Sequence, residues 1–144
     1  MKKDVLVSVL GTQTNDVGEK DTIHLITEGK MFKKPTSYYI VYNESEISGM
    51  EGTTTTLKVE PHRVTLNRMG SSEFKQTFEE GVLHQGVYHT PFGSMHLGVI
   101  PSKVDVALDD QGGSINLIYE LQADQRKLSD NSLLITVKEE KRFQ

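Results

Sequence analysis

Apolar and polar residues alternate along this chain with a period of two, in short runs broken by Gly, Pro, Asn and Asp. Val5/Val7/Val9, Tyr38/Ile40/Tyr42, Met95/Leu97/Val99, Val104/Val106/Leu108, Ile115/Leu117/Tyr119/Leu121 and Leu133/Ile135/Val137 each keep one parity, with polar residues such as Asn116, Glu120, Thr136 and Lys138 between them. Successive side chains of a strand point to opposite faces, so the pattern predicts half-buried antiparallel strands and not helices. Strands are expected at 3–13, 20–32, 37–47, 53–60, 63–69, 73–79, 82–90, 94–109, 114–122 and 132–140.

The breaks agree with this reading. The four prolines, at 35, 61, 91 and 101, fall between strands or at a bend inside the long eighth one, where a missing ladder donor costs least. Thr90-Pro91-Phe92-Gly93 is a hairpin tip, with Pro91 fixing φ and Gly93 free to turn left-handed. Asp109-Asp110-Gln111-Gly112-Gly113 is another, and 123–131 is the longest polar connection late in the chain. Ser71-Ser72-Glu73 ahead of Phe74 and Phe78 offers a helix start, but the two phenylalanines also share a strand face with Gln76, and the flanking strands favour β. A sheet of this many short strands curls and closes, since closure removes the exposed edges. The expected fold is all-β, an antiparallel up-and-down barrel of about 8–10 strands forming one domain over 1–144.

Composition narrows the chemistry. A net charge of −4 provides no global positive field for nucleic acid. Zero cysteines exclude disulfides, thiolate catalysis and Cys-ligated zinc, and agree with a reducing, cytoplasmic setting. The apolar start Val5–Leu10 is too short and too interrupted for a secretory leader, and no stretch is long enough for a helical membrane span. We therefore expect no membrane association.

Strand parity and chain direction nominate one end of the barrel. In an up-and-down meander the third, fifth and seventh strands run the same way, so Glu44 and Glu46, Arg68, and Tyr88 and His89 should gather at one rim, with Gln13 and His24 close by. A carboxylate and a guanidinium at a barrel mouth can fix a polar ligand by charge-assisted hydrogen bonds. They can equally solvate the rim or form an ion pair that closes the barrel. No catalytic residue stands out: the paired carboxylates carry no further hydrolytic signature, and no nucleophile elbow or phosphate-cradling loop occurs. The five histidines, 24, 62, 84, 89 and 96, show no HxH or HExxH spacing. His24, His89 and Glu44 would make a metal site only by converging at the rim, and neither metal nor cofactor is expected.

With the strands laid out, the chain resembles the YwiB-like family of uncharacterised proteins from Gram-positive bacteria. The resemblance lies in TEGK at 27–30, SYYIVYNESEISGMEGTTTTLKVE at 37–60, Leu66-Asn67-Arg68-Met69-Gly70, YHTPFGSMHLGV at 88–99 and GGSINLIYEL at 112–121. It implies a lipocalin-like, calycin-type barrel and a strand at 73–79, and it brings no activity and no site residues. Three functions stay open. The first is non-enzymatic binding of a small ligand at the mouth or lumen, through Glu44, Glu46, Arg68, Tyr88, His89 and His24. The second is an interaction or structural module whose outer face meets a partner or another copy. The third is an enzyme using the rim carboxylates. A lumen filled by Tyr38, Ile40 and Leu66 favours the second, and an open one capped by Glu44, Glu46 and Arg68 favours the first.

Overall fold

A computed structural model of the chain describes residues 2–44, 51–71 and 73–140. They form ten strands: β1 Lys2–Asn15, β2 Lys20–Lys34, β3 Ser37–Asn43, β4 Thr53–Glu60, β5 Arg63–Gly70, β6 Phe74–Glu79, β7 His84–Thr90, β8 Gly93–Asp109, β9 Gly112–Ala123 and β10 Arg126–Glu139. All belong to one antiparallel sheet in the order β6-β5-β4-β3-β2-β1-β10-β9-β8-β7. Sequential strands are neighbours throughout, and the first strand pairs with the last over Val5↔Glu139 to Asn15↔Ser129. No helix among the described residues is long and apolar enough to cross a membrane.

Burial follows the parity of the sequence. β4 alternates strictly, with Thr53, Thr55, Leu57 and Val59 buried and their neighbours half-exposed. The same rule turns Val5 and Val7, Met31, Ile40, Val64 and Leu66, Phe78, Ile115 and Leu117, and Ile135 and Val137 into the lumen. Side chains of that size, all essentially inaccessible, fill the lower barrel, and close packing of this kind leaves no room there for a ligand. At the bottom the Tyr38 hydroxyl donates to Asp110 at 2.6 Å, and Lys33 pairs with the same carboxylate at 3.0 Å. These partners, Tyr38 first, hold the Asp110 carboxyl below its ordinary range.

One expected connection is absent. The polar stretch 123–131 is not a linker, because β9 and β10 join through Asp124 and Gln125 alone, at φ 50° and 69°, the two left-handed residues of a type I′ hairpin. The reason is visible in β10, whose inward positions Ser129 and Asn131 are polar and buried. Asn131 Nδ2 donates to Ser129 Oγ at 2.9 Å, so the strand continues without apolar alternation to mark it.

Closure is incomplete between β6 and β7. Their main chains exchange hydrogen bonds at Glu73 and His89, 3.1 and 2.9 Å, and meet again at the isolated bridge Glu79↔Val82. Between these points Gln76 substitutes for the ladder, its Nε2 donating to the His84 carbonyl at 3.2 Å. The turn after β6 is fastened to β8 instead, with Gly81 N donating to Pro101 O at 2.8 Å where the register of β8 shifts between Pro101 and Lys103.

Gly29 sits opposite Tyr42, where the main chain of β3 leaves no room for a side chain. A Cβ at this position would sit 2.7 Å from the Val41 carbonyl oxygen and 3.0 Å from Val7 Cγ2, and the main chain cannot yield without breaking the ladder. Gly29→Ala is therefore expected to destabilise the fold by about 1–3 kcal/mol, read as a lowered midpoint in urea unfolding with an unchanged slope.

Candidate ligand site at the barrel mouth

The registers assemble the upper lumen from one row of inward residues. Tyr42 faces Thr55, Thr55 faces Arg68 and Arg68 faces Phe74 across β3, β4, β5 and β6. Phe74 carries the row across the seam, its ring meeting Tyr88 edge-on with centroids 5.4 Å apart. Glu44 stands one inward step above Tyr42, anchored by its own main chain, whose N–H donates to Thr53 O at 2.8 Å.

Glu44 is almost wholly buried, and its carboxylate is held by its neighbours. Thr55 Oγ1 donates to Glu44 Oε1 at 2.6 Å, and Arg68 Nε lies 3.7 Å from the same oxygen. At that separation charge is neutralised without a hydrogen bond, and Arg68 Nε is left buried with no hydrogen-bond partner among the described residues. Burial, and then the Glu44 charge, push the Tyr42 hydroxyl well above its ordinary range against the opposing pull of Arg68. Tyr119 comes into the same field from β9: burial raises it to about 12, with Arg68 again opposing.

Of the rim residues expected from sequence, the structure brings Glu44 and Arg68 into contact and joins Tyr88 to them through Phe74. His24 is not in this group, and His89 stands apart from the ion pair but lines the pocket along the seam. His89 has the opposite parity to Tyr88, is exposed, and bonds Ser94 Oγ through Nδ1 at 2.8 Å. His24 faces outward on β2 and bonds Ser8 Oγ at 3.0 Å. The described β2–β3 ladder ends at Gly29↔Tyr42, so His24 stands five residues, about 17 Å, farther along the strand. Glu46 lies outside the described residues. Gln13 bonds Ser129 Oγ at 3.3 Å on another sector of the wall. No group of three His, Asp or Glu side chains among the described residues is arranged to hold a metal ion.

Sequence reasoning missed Thr55, Tyr119 and Gln76 as partners of the site. The signal for Thr55 was its shared parity with Leu57 and Val59, and for Gln76 its place between Phe74 and Phe78. A pocket of about 570 Å³ runs along the seam and is lined by Arg68, Phe74, Gln76, His84 and Gly86 together with outward residues of β5, β6 and β7. Gln76 is 2% exposed, and its Oε1 is buried without a hydrogen-bond partner among the described residues.

The fold and its mouth define the class: a ten-stranded, nearly closed antiparallel β-barrel with a buried ion pair beneath one rim. Residues 7–135 match the family described as Domain of unknown function (DUF1934), and the chain belongs to that family. It is similar to the uncharacterized beta-barrel protein YwiB of Bacillus subtilis (strain 168), with 25% identity over 121 residues, 84% of each chain. It also superposes on the crystal structure of the ywiB protein from Bacillus subtilis with a TM-score of 0.87 and 21% identity, covering 97% of this chain and 94% of that one. The biochemical function of the family is not established.

Two outcomes follow from the mouth. Arg68→Met leaves the buried Glu44 carboxylate without its counter-charge and should destabilise by about 3–5 kcal/mol, whereas Arg68→Met with Glu44→Gln should recover most of that loss. A double-mutant cycle by urea denaturation measures the coupling.

The tyrosines fix a pH dependence. Their folded-state ionisation lies above the ordinary value near 10, so their contribution is complete below about pH 10 and is lost as pH rises from there towards the folded values. Unfolding free energy should decline above about pH 10, and Tyr119→Phe should make that decline shallower.

Proposed function

We propose that this protein is a non-catalytic, lipocalin-like binding barrel that holds a small anionic ligand at its mouth, in the pocket along the β6–β7 seam. The observation that carries the reading is a pair of unsatisfied buried atoms, Arg68 Nε and Gln76 Oε1, on two residues lining the same pocket. Leaving a buried polar atom unpaired costs about 1–3 kcal/mol, and native structures keep few of them. A ligand bearing a carboxylate or phosphate next to a hydroxyl or amide N–H would supply the guanidinium with an acceptor and Gln76 with a donor. Phe74 would add an apolar wall, with Tyr88 packed behind its ring.

Glu44 supports the non-catalytic reading, since Thr55 and Arg68 already engage its carboxylate. The filled lower lumen moves the ligand from the lumen to the rim. Ile40 and Leu66 are buried there, which also gives weight to an interface role for the outer face. Residence in the cytoplasm belongs to the same proposal, on the strength of zero cysteines.

The test is native mass spectrometry of the purified protein with extraction of any adduct, alongside thermal unfolding with mandelate, phenyl phosphate and benzyl alcohol as probes. An anionic adduct, or stabilisation by the two anions and not by the alcohol, is expected, and either should vanish in the folded Glu44→Gln/Arg68→Met variant. A protein with no adduct and no response to either anion would sink the proposal.

A further inference from the structure

The outer wall opposite the seam carries a second pattern. The registers align His24, Leu10, Leu134 and Asn116 in one row across β2, β1, β10 and β9. Even-numbered positions point outward on these strands, and Leu10 and Leu134, paired at the centre, are 38% and 39% exposed. The rows two residues away are Thr22, Thr12, Ser132 and Ile118 on one side and Ile26, Ser8, Thr136 and Ser114 on the other. These three rows contain no Asp, Glu, Lys or Arg in a chain that is 25% charged, and depletion of charge marks the core of an interface.

Charge returns four residues from the central row. Lys20, Thr14, Asp130 and Glu120 form the row at the mouth end, and Glu28, Leu6, Lys138 and Gly112 the row at the other. Lys20, Glu28 and Lys138 have no ion-pair partner among the described residues, whereas Asp130 is shared with Lys127 at 3.0 Å.

We infer that this face binds a second copy of the chain about a twofold axis lying along the His24–Leu10–Leu134–Asn116 row. Such an axis lays each strand antiparallel over itself, in the isologous manner of a closed dimer. Lys20 then meets Glu28 and Asp130 meets Lys138, each twice by symmetry. Ile26 meets Thr22, Ile118 meets Ser114 and Leu6 meets Thr14, so every large apolar residue off the axis finds a small one. An axis along the strands, between β1 and β10, would instead set Leu6 against Lys138 and match only Lys20 with Glu120. The face measures roughly 15 by 27 Å from strand spacing and rise. This is below the area of about 800 Å² per partner in standard stable interfaces, so the dimer dissociates on dilution.

Sedimentation velocity over a concentration series tests it, with circular dichroism confirming that each variant is folded. The parent should show a reversible monomer–dimer equilibrium that weakens with added salt. Leu10→Glu should leave monomer alone, and Lys138→Asp should weaken association by at least about tenfold. Asp130→Lys combined with Lys138→Asp should restore it, because the two positions meet across the axis. A parent that is monomeric at every concentration, a dimer indifferent to Leu10→Glu, or a charge swap that fails to restore association would each overturn the inference.

Discussion

Strand parity is the constraint on which the rest of this molecule depends. A residue in a strand has two faces to choose from, and a slip of one position exchanges them for the whole strand. Here the registers hold the apolar set in the lumen, the Glu44–Arg68 pair beneath the mouth, and Leu10 and Leu134 outside. The β1–β10 ladder carries much of that burden because it zips the two ends of the chain together over Val5↔Glu139 to Asn15↔Ser129. Once the ends are joined, the weak point of the closed sheet falls in mid-chain, between β6 and β7.

That weak point explains why polar groups are tolerated in the upper barrel. Full pairing between β6 and β7 would satisfy every main-chain group and leave the Gln76 side chain nothing to do. Because pairing lapses, the Gln76 amide reaches the His84 carbonyl, and its own carbonyl oxygen is left buried and unpaired. Arg68 neutralises Glu44 from a distance too long for a hydrogen bond. A buried ion pair is weak support for stability in its own right. The pair is held at 3.7 Å, and Arg68 also lines the pocket along the seam.

Much of this was legible in the sequence, and the misses have physical causes. Period-two alternation located the strands, and strand direction with parity brought Glu44 to Arg68. His24 and His89 were assigned to the rim by their position along the chain, although each has the parity of an outward residue: Leu25 beside His24 is buried, and Tyr88 beside His89 carries the inward ring. Stagger was not legible at all. Nothing in the sequence says that, among the described residues, β2 pairs with β3 from Gly29 to Lys34, five residues from His24. The start of β10 was hidden for another reason, since Ser129 and Asn131 satisfy each other inside the wall, and burial of that kind leaves no apolar mark.

The two surfaces lie on different sectors of the barrel. In the strand order, β2, β1, β10 and β9 hold the fifth to eighth places, and the seam joins the outermost pair, β6 and β7. A second copy seated on these four strands would therefore leave the pocket at the seam open in both subunits. A ligand at Arg68 and Gln76 would touch neither Leu10 nor Leu134, so association and ligand binding have no shared residue through which to compete. Coupling between them would have to travel through the lumen, where Val5, Val7, Ile135 and Leu57 are buried in one closely packed cluster. If both surfaces are used, the strand order keeps them apart, because the ladder that closes the chain ends also separates the outer face from the mouth.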